Sequence, residues 1–201
     1  MKNIFISDWS FTKEYFPAIS KKFTFFEPFV DNIDYVLGEV DNGGETLIGW
    51  SAGAHIISKY IDTFGDKWEK IILIAPYMHF VESFFEENID IIIKGLNKDF
   101  AKTVKYFQAK AGVIPIAQPS EKYLNNLIDG LNYLKSSKIT EGSSAKNVLV
   151  IYGCADQLIK RRSILNFLNN FKNSEFTEID QPHYIPEDVI LKLTQKQLSD
   201  I

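Results

Sequence analysis

Ser51 lies in Gly49-Trp50-Ser51-Ala52-Gly53, between the apolar run Thr46-Leu47-Ile48 and a segment from Ala54 onward with helical spacing. A serine hydroxyl is a weak nucleophile until a neighbouring base takes its proton and a third group fixes that base. Gly-x-Ser-x-Gly at a strand-to-helix turn supplies the nucleophile. It holds the serine at the tip of a strained turn, where its neighbours two residues away must lack side chains. The helix that follows aims unpaired N–H groups, and the positive end of its dipole, at the hydroxyl and at any oxyanion formed beside it. Three histidines compete for the base. His55, one turn beyond Ser51 on the same helix, cannot readily bring its ring back in line and is expected to be a packed or solvated helix residue. His79, just past Ala75-Pro76, is expected to line a pocket. His183, in Asp180-Gln181-Pro182-His183-Tyr184, falls in a loop between the last strand and the last helix and is the expected base. Asp156, just beyond the apolar run ending at Gly153, is the expected acid; Asp180 and Glu178 compete by proximity in sequence. The oxyanion hole needs two N–H groups, expected from Ala52, after the nucleophile, and Trp9, after the first strand.

Those loops have to be gathered by regular elements. Asn3-Ile4-Phe5-Ile6 reads as a buried strand. It begins almost at the first residue, so strands that larger relatives place before it are expected to be missing or reduced. Further strands are expected at Thr24–Pro28, at the run before Ser51, at Lys70–Pro76, at Asn147–Gly153 and at Phe176–Ile179. Helices are expected to about Phe64, over 160–171, and from Pro186 to about Leu198; Asn32–Val40 reads as a loop or short helix. The alternation implies an α/β protein, with a mostly parallel sheet and helices on both faces. In such a sheet the loops at the carboxyl ends of the strands surround the ligand crevice. Residues 1–76 and 141–201 form the expected core. Residues 77–140 carry helical spacing near 81–94, 97–110 and 120–136 and form an expected lid, ending in a flexible 140–144 stretch.

Composition narrows the class. With 201 residues the chain can bury a sizeable core, and a net charge of −4 argues against a nucleic-acid surface. The single cysteine, Cys154, cannot form an internal disulfide and is expected as a small buried filler. With no signal-peptide core and no membrane-length apolar run, the expected location is the cytoplasm.

Gly-Trp-Ser-Ala-Gly at 49–53, Val148–Asp156 with Leu158-Ile159, and Gln181-Pro182-His183 together resemble the α/β-hydrolase superfamily across most of the chain. Within it, Gly49-Trp50-Ser51 with a tryptophan after the first strand is similar to the pimeloyl-[acyl-carrier protein] methyl ester esterases of biotin synthesis. The resemblance implies a helical lid and release of methanol from a carrier-bound pimeloyl ester. The first loop departs from the pattern: it reads Ser7-Asp8-Trp9 where such enzymes usually read His-Gly-Trp. Trp50, His79, Phe84 and Phe107 are expected around the acyl chain. Lys94, Lys98, Lys102 and Lys105 recur at helical spacing in a segment with eight lysines against seven acids, and are expected to dock an acidic partner such as acyl carrier protein. The expected activity is a serine carboxylesterase without metal or organic cofactor. A thioesterase or peptidase with the same residues, or a non-catalytic ligand-binding protein on the same fold, is the alternative.

Overall fold

A computed structural model describes residues 2–196. Its strands are β1 (Asn3–Ile6), β2 (Thr24–Phe26), β3 (Gly44–Trp50), β4 (Trp68–Ile74), β5 (Val148–Gly153) and β6 (Glu175–Ile179). All pair in parallel, in the order β2-β1-β3-β4-β5-β6. The four inner strands read as apolar runs because both faces are covered. Ile4, Ile6, Leu47, Ile71, Leu73 and Val150 face one core, closed by Val36 and Val40 of α1 (Ile33–Asp41), Ile57 and Ile61 of α2 (Ala52–Phe64) and Phe167 of α6 (Arg161–Asn170). Phe5, Ile48, Ile72, Leu149 and Ile151 face the other, which continues into the segment between β4 and β5 and reaches Ile190 of α7 (Glu187–Lys196). The expected extension of α7 to Leu198 lies outside the described residues. Among the described residues no helix is long and apolar enough to cross a membrane.

The strand order decides where a ligand can sit. β1 has β2 on one side and β3 on the other, so successive connections leave β1 in opposite directions and open a crevice at the carboxyl ends of β1 and β3. Ser7-Asp8-Trp9 leaves β1 there, and Ser51 leaves β3.

Several boundaries differ from the sequence expectation for identifiable reasons. β2 stops at Phe26, ahead of Pro28, which has no N–H for the ladder. β4 stops at Ile74 because Ala75 turns to φ 50°. The helix expected near 97–110 starts later: α3 (Glu86–Lys98) runs on to Asp99, whose carboxylate accepts the Lys102 N–H at 3.0 Å and caps α4 (Phe100–Lys110). α5 (Leu124–Ser136) completes the helices between β4 and β5. The 140–144 stretch, expected to be flexible, is tethered. The Ser143 hydroxyl donates to Asp62, Asn173 Nδ2 donates to the Ser144 carbonyl, and Gly142 lies against the Asn170 backbone where a Cβ would not fit.

His55 joins α2 to the segment between β4 and β5. It is fully buried and stacked on Tyr77, and burial pulls its pKa down to about 4, so the ring is neutral. A carbonyl can only accept, so Nδ1–H donates to the Tyr77 oxygen at 3.1 Å and Nε2 accepts from the Ser137 hydroxyl at 2.9 Å. The expectation of a packed helix residue holds, with the addition that it is a buried polar bridge.

Gly53, in the first turn of α2, allows the closest backbone approach in this region: a Cβ there would strike the carbonyl of Ile6. Gly53→Ala is therefore expected to destabilise by more than the ~1–3 kcal/mol of ordinary overpacking, because backbone rather than a side chain must yield. Urea unfolding of the variant beside the parent measures this.

Candidate active site

At the end of β3 the chain turns sharply into α2. Ser51 has φ 52° and ψ −104°, a conformation that costs energy for a residue with a Cβ. Its N–H donates to the Ile74 carbonyl at 2.8 Å and its carbonyl accepts the His55 N–H at 2.9 Å, so the neighbouring strand and the helix hold it from both sides. A Cβ on Gly49 would come within 2.7 Å of the Ala54 nitrogen, and Gly53 donates its N–H to the Ser7 carbonyl at 3.2 Å. Both glycines of the motif are thus required by contact, one against the helix and one against the loop leaving β1.

His183 is buried, with 1% of its surface exposed. Its Nδ1–H donates to Asp156 Oδ2 at 2.7 Å. The other Asp156 oxygen accepts the Leu158 and Ile159 N–H groups at 2.7 and 2.8 Å, which fixes the carboxylate in its turn. Gly153 has no room for a Cβ against the Gln181 and Pro182 carbonyls, and Ala155 N–H donates to the Gln181 carbonyl at 3.1 Å. The loop after β6 is thereby pressed onto the end of β5. Trp50 Nε1–H donates to the His183 carbonyl at 3.1 Å, and the Tyr184 N–H donates to the Ala111 carbonyl at 2.8 Å.

The remaining contact of the imidazole was not anticipated from the sequence. Asp8, 2% exposed, places Oδ2 3.3 Å from His183 Nε2 and accepts the Ala52 N–H on Oδ1 at 3.1 Å. Burial pushes the imidazole's pKa down, but Asp156 and Asp8 together outweigh it and raise the value to about 10. At neutral pH the ring is an imidazolium donating from both nitrogens. Ser51, 2% exposed, makes no side-chain hydrogen bond among the described residues. Nearby, Tyr77 is fully buried with no partner for its hydroxyl among the described residues; burial, helped by the charge of Asp8, keeps the phenol protonated. The sequence signal for Asp8 is its place at the carboxyl end of β1, in the Ser7-Asp8-Trp9 loop.

The other expected site residues sit as follows. The Trp9 backbone N–H has no partner among the described residues, while its ring is buried, donates from Nε1 to the Leu127 carbonyl at 2.9 Å and meets Phe107 edge-on. Trp50 is not an open pocket wall. It is packed among Phe11, Phe16 and Tyr184 as a strut beneath the His183 loop. His79 is likewise committed elsewhere, a ring nitrogen engaging the Lys135 carbonyl at the end of α5. Phe84 and Phe107 are buried and in edge contact, continuing the aromatic packing of Trp9. Lys94, Lys98, Lys102 and Lys105 are exposed, but they divide between α3 and α4 instead of forming a stripe on one helix, because Asp99 separates the two. Arg161 pairs with Glu178 at 3.1 Å. Cys154 is exposed, not buried, because β5 ends at Gly153 and the side chain turns outward beside Asp180.

No protein-family model and no curated protein matches the chain. Solved structures do. An esterase from Exiguobacterium antarcticum superposes with a TM-score of 0.69 at 14% identity, over 98% of this chain and 91% of that one. A hydrolase from Oleispira antarctica gives 0.60 at 14% identity, over 97% and 91%. BioG from Haemophilus influenzae gives 0.62 at 12% identity, over 92% and 89%. The six-stranded parallel sheet with helices on both faces is the α/β-hydrolase fold.

The raised pKa of His183 sets a pH dependence. The stability contributed by the imidazolium is fully present below the ordinary value of 6.5 and is lost as pH rises through about 10. Asp8→Asn removes one of the two charges that raise it. Unfolding measured across that window is expected to lose less stability with rising pH in Asp8→Asn than in the parent.

Proposed function

We propose that the protein is a serine hydrolase that cleaves a carboxylic ester of an acyl chain. The observation that carries this reading is the 2.7 Å bond from His183 to Asp156, at the same carboxyl edge of the sheet where Ser51 is held at positive φ. Ser51 Oγ attacks the ester carbonyl while His183 Nε2 takes its proton, forming a tetrahedral oxyanion that the Ala52 and Trp9 N–H groups receive. The C–O bond to the alcohol then breaks, and the His183 proton goes to the departing oxygen. Water repeats the sequence on the acyl-serine: it gives His183 a proton and releases the acid and the serine hydroxyl. Asp156 keeps Nδ1 protonated and offsets the charge on the ring throughout. The cycle requires Nε2 to be free of its proton and the Ala52 N–H to be free of Asp8.

The helices of residues 77–140 act as the lid in this reading, and the proposed substrate is a pimeloyl methyl ester on acyl carrier protein, hydrolysed in the cytoplasm. Support comes from the sequence resemblance and from the likeness to BioG. The four exposed lysines of α3 and α4 also support it, since none makes an ion pair among the described residues. They would meet an acidic carrier and speed its encounter.

A fluorophosphonate probe is expected to label Ser51, and Ser51→Ala is expected to lose labelling and at least about 10³-fold in ester hydrolysis. A strain blocked in pimeloyl methyl ester cleavage, complemented by the parent and not by Ser51→Ala, tests the substrate. Lys98→Glu with Lys102→Glu is expected to slow cleavage of the carrier-bound ester and to leave a small soluble ester unaffected; equal losses on both would remove the docking role.

A further inference from the structure

Asp8 stands where the reading above needs an acyl group to stand. When an esterase holds its acid product, one carboxylate oxygen sits on the oxyanion N–H and the other beside the imidazole. The two oxygens of Asp8 make that pair of contacts, 3.1 Å from the Ala52 nitrogen and 3.3 Å from His183 Nε2. While they do, the oxyanion donor is occupied and Nε2 donates to a carboxylate instead of accepting from Ser51.

We propose that Asp8 is a specificity-determining residue that acts as an internal product mimic, blocking small esters and giving way to substrates that engage the lid. The proposal rests on Ser51, His183 and Asp156 acting as a triad. Its second support is how the loop after β1 is tied. The neighbouring Trp9 is hydrogen-bonded to the Leu127 carbonyl in α5 and packed on Phe107 of α4. The Ser10 carbonyl accepts from Gln108 Nε2 at 2.9 Å, again from α4. The Asp8 loop is therefore attached to these helices at Trp9 and at Ser10, immediately after the carboxylate, and displacement of those helices pulls on it. The loop also has reasons to leave. Ser10 is held at φ 65°, and the hydroxyls of Ser7 and Ser10 are buried without partners among the described residues. An acyl chain entering under α4 and α5 pushes on the helices that hold the loop, whereas a short soluble ester does not reach them.

The test compares the 201-residue parent with Asp8→Gly, which empties the position, and Asp8→Asn, which fills it without charge and serves if the glycine variant does not fold. Butyrate binding, followed by calorimetry, probes the acid subsite. Fluorophosphonate labelling and hydrolysis of p-nitrophenyl butyrate probe Ser51. Removing the competing carboxylate is expected to tighten butyrate binding and to raise labelling and small-ester kcat/KM by about tenfold or more, with Asp8→Asn intermediate. The NMR titration of His183 is expected to move towards an ordinary imidazole value. If parent and variants label at the same rate and bind butyrate equally, Asp8 does not block the site, and the proposal falls while the serine-hydrolase reading stands. If butyrate binding tightens but neither parent nor variants are labelled, the triad reading falls, and the proposal with it.

Discussion

A buried imidazole held between two carboxylates governs how the rest of this protein is arranged. Removing a charge from water costs several kcal/mol unless partners replace the lost solvation. Here each nitrogen of His183 has its own carboxylate, and each carboxylate has further backbone donors. Asp156 takes two N–H groups from the turn that follows it, and Asp8 takes one from the first residue of α2. The N-terminus of α2 faces Asp8 with positive potential. Removing the imidazole would leave two carboxylates facing each other in the interior, whereas removing Asp8 would still leave the ring paired with Asp156.

The two carboxylates are not equivalent. Asp156 sits in a tight turn with both oxygens saturated, and the loop it meets is pinned by Trp50 and by the missing side chain of Gly153. Asp8 sits in a loop with a left-handed serine and unpartnered hydroxyls, anchored to helices inserted after β4. One carboxylate is held on every side and the other is not, and in the proposed reading that asymmetry separates the carboxylate that orients the base from the one that occupies a substrate position.

The segment between β4 and β5 also takes part in a second buried polar bridge, from His55 to the Tyr77 carbonyl and Ser137. A neutral, fully buried imidazole with both nitrogens satisfied fixes one arrangement of α2 against α5, since any shift leaves a polar atom unpaired. The edge-to-face and stacked aromatics from Tyr77 through Phe80, Phe84 and Phe107 to Trp9 fill the space between this bridge and the loop bearing Asp8.

The sequence by itself determined the strands, the parallel class and the sharp turn at Ser51, because these are local. Apolar runs have strand length, turns have glycine, and the spacing of Gly49, Ser51 and Gly53 follows from close contact within a few residues. It also placed Asp156 and His183 correctly at strand ends, since a parallel sheet gathers those ends on one edge. Only the tertiary structure decided what meets Nε2 and the Ala52 N–H, that Trp50 is a strut and His79 a tie, and that Cys154 faces outward. Those outcomes depend on where side chains from distant segments point once packed. An aspartate beside a tryptophan at position 9 carries no local pattern that reveals it will fold against a histidine near the other end of the chain.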